Sequence, residues 1–197
     1  MENKFLLWFA MMFPLVFSAG PANITMASLG ARFGFATSLP FICGINLVVL
    51  LHALLIGFGA GTFLEKYPDL FRFLQYAGSA YLIYLAFKFF RSARPEAKRL
   101  SDSAPSFLDG IILQMLNVKV VTVTMVMFSQ FLETGPDQLS WVVMLAAGLA
   151  TLTTCATMTW AAGAAWLTRT FATEKSVKLQ GYIFGSMLIA VSIWILL

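Results

Sequence analysis

Charged residues punctuate this chain at wide intervals, and the stretches between them are almost wholly apolar. Residues 5–31 lie between Lys4 and Arg32 without an Asp, Glu, Lys or Arg. Residues 33–64 lie between Arg32 and Glu65, with His52 as their one basic side chain. Further stretches run over 73–87, over 110–132 (interrupted by Lys119), over 138–168 and from 179 to 197. A bilayer core about 30 Å thick needs about 20 residues of helix, so each stretch accommodates one span and none accommodates two. The pattern predicts six helices, at 5–31, 38–62, 70–91, 107–131, 139–166 and 178–197. Alternating ten-residue strands, the mark of a membrane barrel, are absent from the sequence. The expected fold is an all-α integral membrane protein, one transmembrane domain over residues 1–197. The first stretch continues past Ser18-Ala19-Gly20 to Ala31, too far for the short apolar region of a cleaved signal peptide.

Composition agrees. Apolar residues make up 59% and charged residues 11%, against about 45–50% and about 25% in soluble domains. Mean hydropathy is +0.82. A soluble enzyme, a disulfide scaffold and a disordered chain are excluded. The formal charge of +4 calls for no nucleic-acid partner, because the basic residues are distributed as a topology signal. Nine of the 13 fall in the connections after the first, third and fifth helices, from Arg32 through Lys88–Arg99 to Arg169–Lys178, and only Lys4, Lys66 and Arg72 lie on the other side. Lys and Arg stay on the cytoplasmic side, which places both termini outside, in the periplasm of a bacterial inner-membrane protein.

The polar, Pro- and Ser-rich segment at about 92–106 divides the helices into a repeat at about 5–91 and a second at about 107–197. Three helices is an odd number, so homologous halves would enter the membrane inverted, as in many secondary transporters with a midplane site. The first helix of each half carries its oddest residues well inside: Gly20-Pro21-Ala22-Asn23 and Asn117-Val118-Lys119. Pro21 lacks an N–H and clashes with the preceding turn, so helix 1 should break or kink. At membrane depth a break needs protein or water around it, and it exposes a half-helix N-terminus suited to anions. A plain packing kink is the alternative. Lys119 stands roughly 15 Å and roughly 21 Å of helical rise from the flanking acids. A lysine at a helix centre costs roughly 2.5–3.5 kcal/mol on insertion scales. A watery cavity or anionic partner resolves that cost; snorkelling to the interface is the alternative.

Three groups are candidates for carrying a proton: Lys119, His52 deep in helix 2, and Asp109 at the start of helix 4. His titrates near neutrality, although a buried His more often bonds a carbonyl. Asp109 is better placed to cap its helix. Small-residue runs at Gly57–Gly61 and Gly78–Ala80 suit close helix packing, within the chain or in a homodimer. The hydroxyls of Thr151, Thr153, Thr154, Thr157 and Thr159 either line a path or bond back to their own helix. Cys43 and Cys155 leave open a different class, a transmembrane thiol–disulfide electron carrier, which would need α-carbons about 4.4–6.8 Å apart. No catalytic triad, nucleotide loop, metal cluster or cofactor motif stands out, so an enzyme is not expected.

These motifs, taken together, resemble the lysine exporter and homoserine/threonine resistance exporter family of bacterial amino-acid exporters. The resemblance covers nearly the whole chain: Ala19-Gly20-Pro21-Ala22-Asn23 with Gly30 and Gly34, the stretch Phe73–Lys88, and Phe107–Gly110 with Asn117-Val118-Lys119 and Gln130-Phe131. The run Leu113–Lys119, with Leu139–Val143, looks most like the cysteine/O-acetylserine exporter branch. The family usually has Pro where Ala19 and Val118 stand, so a softer second break is expected here. The resemblance implies export of a small amino acid such as cysteine or O-acetylserine, driven by proton antiport with alternating access. The residues themselves place the expected substrate site at Gly20, Pro21, Ala22, Asn23, Asn117 and Lys119.

A reporter fused to the C-terminus should read as periplasmic. A cytoplasmic reading would reverse the orientation drawn from the basic residues.

Overall fold

The computed structural model describes residues 2–60, 68–92, 105–133, 135–170 and 174–196. Most of the 92–106 linker lies outside them. The described residues form helices and no strand. The elements are α1 (Glu2–Phe17), α2 (Pro21–Phe33), α3 (Phe35–Leu55, continued by a wide turn at Ile56–Ala60), α4 (Pro68–Ser92), α5 (Phe107–Met115), α6 (Val118–Phe131), α7 (Gln138–Thr170) and α8 (Glu174–Leu196). Among the described residues, the six stretches expected from the sequence are helical apart from a short break in the first and in the fourth. The first and the fourth are each two helices, bent by 58° and by 63°. The second bend is therefore not the softer one, contrary to the expectation from Val118. Phe35–Gly59 and Gln138–Thr168 are each long and apolar enough to cross a membrane alone, and the bent pairs qualify if each is one span. Tyr76–Phe87 and Tyr182–Ile193 are shorter apolar segments.

Backbones meet closely where small residues permit it. Gly110 of α5 lies against the Phe41 backbone of α3, and Gly44 of α3 lies against Phe107 and Ile111 of α5. A side chain at either would hold the two helices apart. The Gly78–Ala80 run packs in the same way. Gly78 meets the Leu116 backbone, and Ser79 and Ser192 each donate to the other's carbonyl, at 3.2 and 3.3 Å, tying α4 to α8. Gly57 lies under Phe128 and Val142, while Gly61 lies outside the described residues. The core runs through the middle of this assembly, with Met12, Ile45, Val49, Met127, Ala146 and Leu188 wholly buried. Large apolar side chains such as Phe5, Leu55, Phe87 and Trp166 are more than half exposed. That is the inside-out surface expected of helices whose solvent is lipid.

One residue turns α2 into α3. Gly34 has φ 84° and ψ 165°, a region that only glycine occupies without strain. Its N–H donates to Gly30 O at 3.0 Å, closing α2. Gly34→Ala should cost about 1–3 kcal/mol, read as a lower unfolding midpoint in detergent; an unchanged midpoint would show that the turn tolerates a side chain.

Candidate substrate site at two helix breaks

Ending α1 at Phe17 leaves its last carbonyls without the N–H groups of a following turn, and Pro21 supplies none. In a membrane such groups must be satisfied within the protein. They are, one by one. Pro14 O accepts from the Ser18 N–H at 3.0 Å, and Leu15 O from the Ser18 hydroxyl at 2.8 Å. Val16 O accepts from Asn23 Nδ2 at 2.8 Å. Phe17 O accepts from Trp160 Nε1 of α7 at 3.1 Å. Ser18 O accepts twice, from Asn23 Nδ2 at 3.0 Å and from Lys119 Nζ at 3.0 Å. Lys119 also reaches the Ser18 hydroxyl, at 2.9 Å. The lysine therefore ends on protein oxygens, at a serine that is itself exposed. It crosses from the start of α6 to the break in the other half of the chain.

Gly20 makes room for it. The backbone there is extended, φ −150° and ψ 175°, which any residue adopts. Conformational freedom is not what the position requires. A β-carbon at Gly20, however, would stand 2.8 Å from Lys119 Cδ and 2.9 Å from Nζ. α2 starts beyond it, with the Ile24 N–H donating to Gly20 O at 2.9 Å as the first helical bond. The N–H groups of Ala22 and Asn23 precede that bond, so the helix itself offers them no acceptor.

The second break has no proline and is held by caps. The side chain of Asn117 accepts from the Lys119 N–H at 3.2 Å, an N-cap for α6. Its Nδ2 donates to Gln114 Oε1 at 2.9 Å, with both residues buried. The Leu116 N–H closes on Ile112 O, and the close approach of Gly78 pins this turn from α4. These contacts explain a 63° bend without a proline at Val118.

Between the two breaks lies a partly open cavity of about 40 Å³, room for a few water molecules at most. Gly20, Ala22, Asn23, Asn117 and Lys119, all named from the sequence, line it. Pro21 is buried beside them. Gln114 and Thr153 also line it, and no carboxylate does. The remaining candidates lie elsewhere. Asp109 is the capping partner of Ser106, whose N–H and hydroxyl both donate to its carboxylate, at 2.7 and 2.8 Å. His52 is partly buried in α3, has no partner at Nδ1 and does not line the cavity. Thr151, Thr154, Thr157 and Thr159 bond to carbonyls four residues back in α7. Cys43 and Cys155 are free and exposed. Among the described residues no group of His, Cys, Asp and Glu is arranged to hold a metal. Ser18, Trp160 and Gln114 were not among the sequence candidates. Their roles depend on partners in other helices, which local spacing does not encode.

Trp160→Phe strands one carbonyl and should cost about 1–3 kcal/mol. Asn23→Leu strands Val16 O outright and halves the support of Ser18 O, so it should cost more. Unfolding in detergent measures both, and equal small losses would mean that water reaches these carbonyls.

A family model described as LysE type translocator matches residues 13–197. A Vibrio cholerae serotype O1 protein named only "Uncharacterized membrane protein" is 27% identical over 182 residues, 88% of this chain and 87% of its own length. Cysteine/O-acetylserine efflux proteins of Escherichia coli, from strain K12 and from O6:K15:H31, are 31% identical over 142 residues, 72% of this chain and 72% of theirs. No solved structure matches. With the model spanning nearly the whole chain, this membrane protein belongs to the LysE type translocator family.

Proposed function

We propose that the chain exports a small neutral amino acid across the bacterial inner membrane, with the cavity between the two breaks as its substrate site. The observation that carries this reading is Lys119, which lines that cavity and rests its ammonium on Ser18 at the first break. An amino acid is a zwitterion and fits by exchange. Its carboxylate takes over Lys119 and meets the N–H groups of Ala22 and Asn23 at the positive end of α2. Its ammonium takes the Ser18 carbonyl that Lys119 releases. Asn23 and Asn117 spend their amide protons on the breaks. In this scheme they hold the site's shape and offer the substrate their oxygens and backbone.

Two features favour a small neutral cargo. The cavity as it stands is too small for any amino acid, so a binding state must open it, and a small side chain asks least. The cavity also holds one cation and no carboxylate. A basic side chain about 4 Å from Lys119 would meet a repulsion of about 4 kcal/mol at an effective dielectric of 20. The cysteine/O-acetylserine names of the Escherichia coli relatives agree with that choice.

Alternating access follows in this reading from six spans arranged as two inverted three-helix repeats, about 5–91 and about 107–197, with both termini periplasmic. The reciprocal Ser79–Ser192 exchange and a bent first element in each half support that arrangement. Lys119 is assigned the coupled proton, because it is the cationic side chain in the cavity, Asp109 is engaged as a cap and His52 stands outside. A ligand can bias the two states only through different affinities for them. The proton acts here by deciding whether Lys119 holds Ser18 or the substrate.

The test is counterflow in proteoliposomes with a panel of labelled amino acids, with and without an imposed pH gradient. Cysteine or a similar small neutral amino acid should exchange. Lys119→Met should reduce exchange at least a hundredfold while the protein remains folded. Undiminished exchange by Lys119→Met would overturn the site.

A further inference from the structure

A second cavity, of about 520 Å³, lies between α1, α6 and α7. Trp8, Phe131, Trp141 and Leu145 line it, and the Lys4–Glu133 ion pair stands at its edge. It occupies the same three-helix seam as the substrate cavity. Trp8 precedes Val16 in α1, Trp141 precedes Leu149 in α7 and Gln130 follows Val123 in α6, each step about 10–12 Å of helical rise. Val16, Val123 and Leu149 line the smaller cavity. Met12 and Met127, with no exposed surface, fall at the level between.

We propose that this larger cavity is the water-filled outer vestibule of the export path, entered by the amino acid through the Met12–Met127 layer and left past Lys4 and Glu133. Three observations support it. The Trp8 side chain is 7% exposed and its Nε1 has no partner. A buried indole donor needs one, and as the structure stands that nitrogen is shut off from water, so it gains a partner only when the cavity widens around Trp8 to admit water or substrate. The edge carries one cation and one anion, the complement of a zwitterion's carboxylate and ammonium. Lys4 also lies over the Trp141 ring, 5.9 Å from its centroid, so the pair holds α1, α6 and α7 together across the mouth until a substrate divides it. Methionine is flexible and repacks around a passing group, which suits a layer that must part and close. The inference rests on the export reading, and on the orientation that puts this end outside.

The test uses the full chain with Cys43→Ala and Cys155→Ala, carrying single cysteines Leu7→Cys or Leu145→Cys, with restored Cys155, which is exposed and lines neither cavity, as the control. Leu7 is already exposed, so its variant tests the cavity even if Leu145→Cys folds poorly. A membrane-impermeant, charged methanethiosulfonate applied outside intact cells should modify both positions at least tenfold faster than Cys155. Excess cysteine-free substrate, O-acetylserine, should slow the reaction severalfold, and Met127→Ala should raise passive leak. Modification no faster than at Cys155, or only by a lipid-soluble maleimide, would mean a cavity filled by lipid chains and overturn the proposal. Modification from the cytoplasmic side alone would overturn it equally. Counterflow by the unmodified protein is run in parallel. Counterflow with unreactive cysteines sinks the vestibule alone, whereas reactive cysteines without counterflow sink the export reading and the path with it.

Discussion

The ammonium of Lys119 on the oxygens of Ser18 ties the two halves of this protein together at the point where each is weakest. A broken helix at membrane depth leaves carbonyls that lipid cannot satisfy, and a lysine at the same depth carries a charge that lipid cannot solvate. Each problem is the other's solution. The break supplies two oxygens to the cation, and the cation supplies donors to the break. Asn23 and Trp160 complete the set, so α1 ends without an orphaned terminal carbonyl. Gly20 follows from the same constraint, since any β-carbon there would stand in the lysine's path.

Much of this was legible in the sequence, because it depends on local chemistry. Apolar stretches set the helices to within a few residues. Pro21 marked one break through its missing N–H, and Lys119 marked the other as a charge too deep to ignore. Asp109, three residues after Ser106, was readable as a cap and is one. What stayed hidden was long-range. Nothing near Trp160 announces that its indole answers Phe17, 143 residues earlier. Nothing near Ser18 announces that it receives a lysine 101 residues later. The expectation of a softer second break failed for a related reason. It weighed Val118 against proline, but Asn117, Gln114 and the Gly78 contact turn the chain there without proline chemistry.

The two breaks therefore reach similar angles by different means. The first is imposed by the backbone, since Pro21 forbids the helical bond. The second is a balance of a cap, a buried amide pair and a close helix contact, all of which can rearrange. Chemistry that needs a fixed anion cradle fits the first, where α2 begins rigidly. Lys119, whose ammonium reaches across to the oxygens of Ser18, belongs to the second.

α7 runs unbroken past all of this and shows where slack lies. Against α2 there is none, because Gly30 meets the Ala161 backbone directly and a β-carbon could not be admitted. Against α1 the contact is carried by single side chains, the Trp160 bond at Phe17 and Trp8 against Gly148, with the 520 Å³ space beside Trp8. Close-packed backbones transmit motion as a unit, whereas a cavity leaves side chains room to shift. The break at 18–20 thus separates a half-helix locked to α7 from one that is only latched to it. The bonds at Ser18 and Phe17 are what latch that half in place.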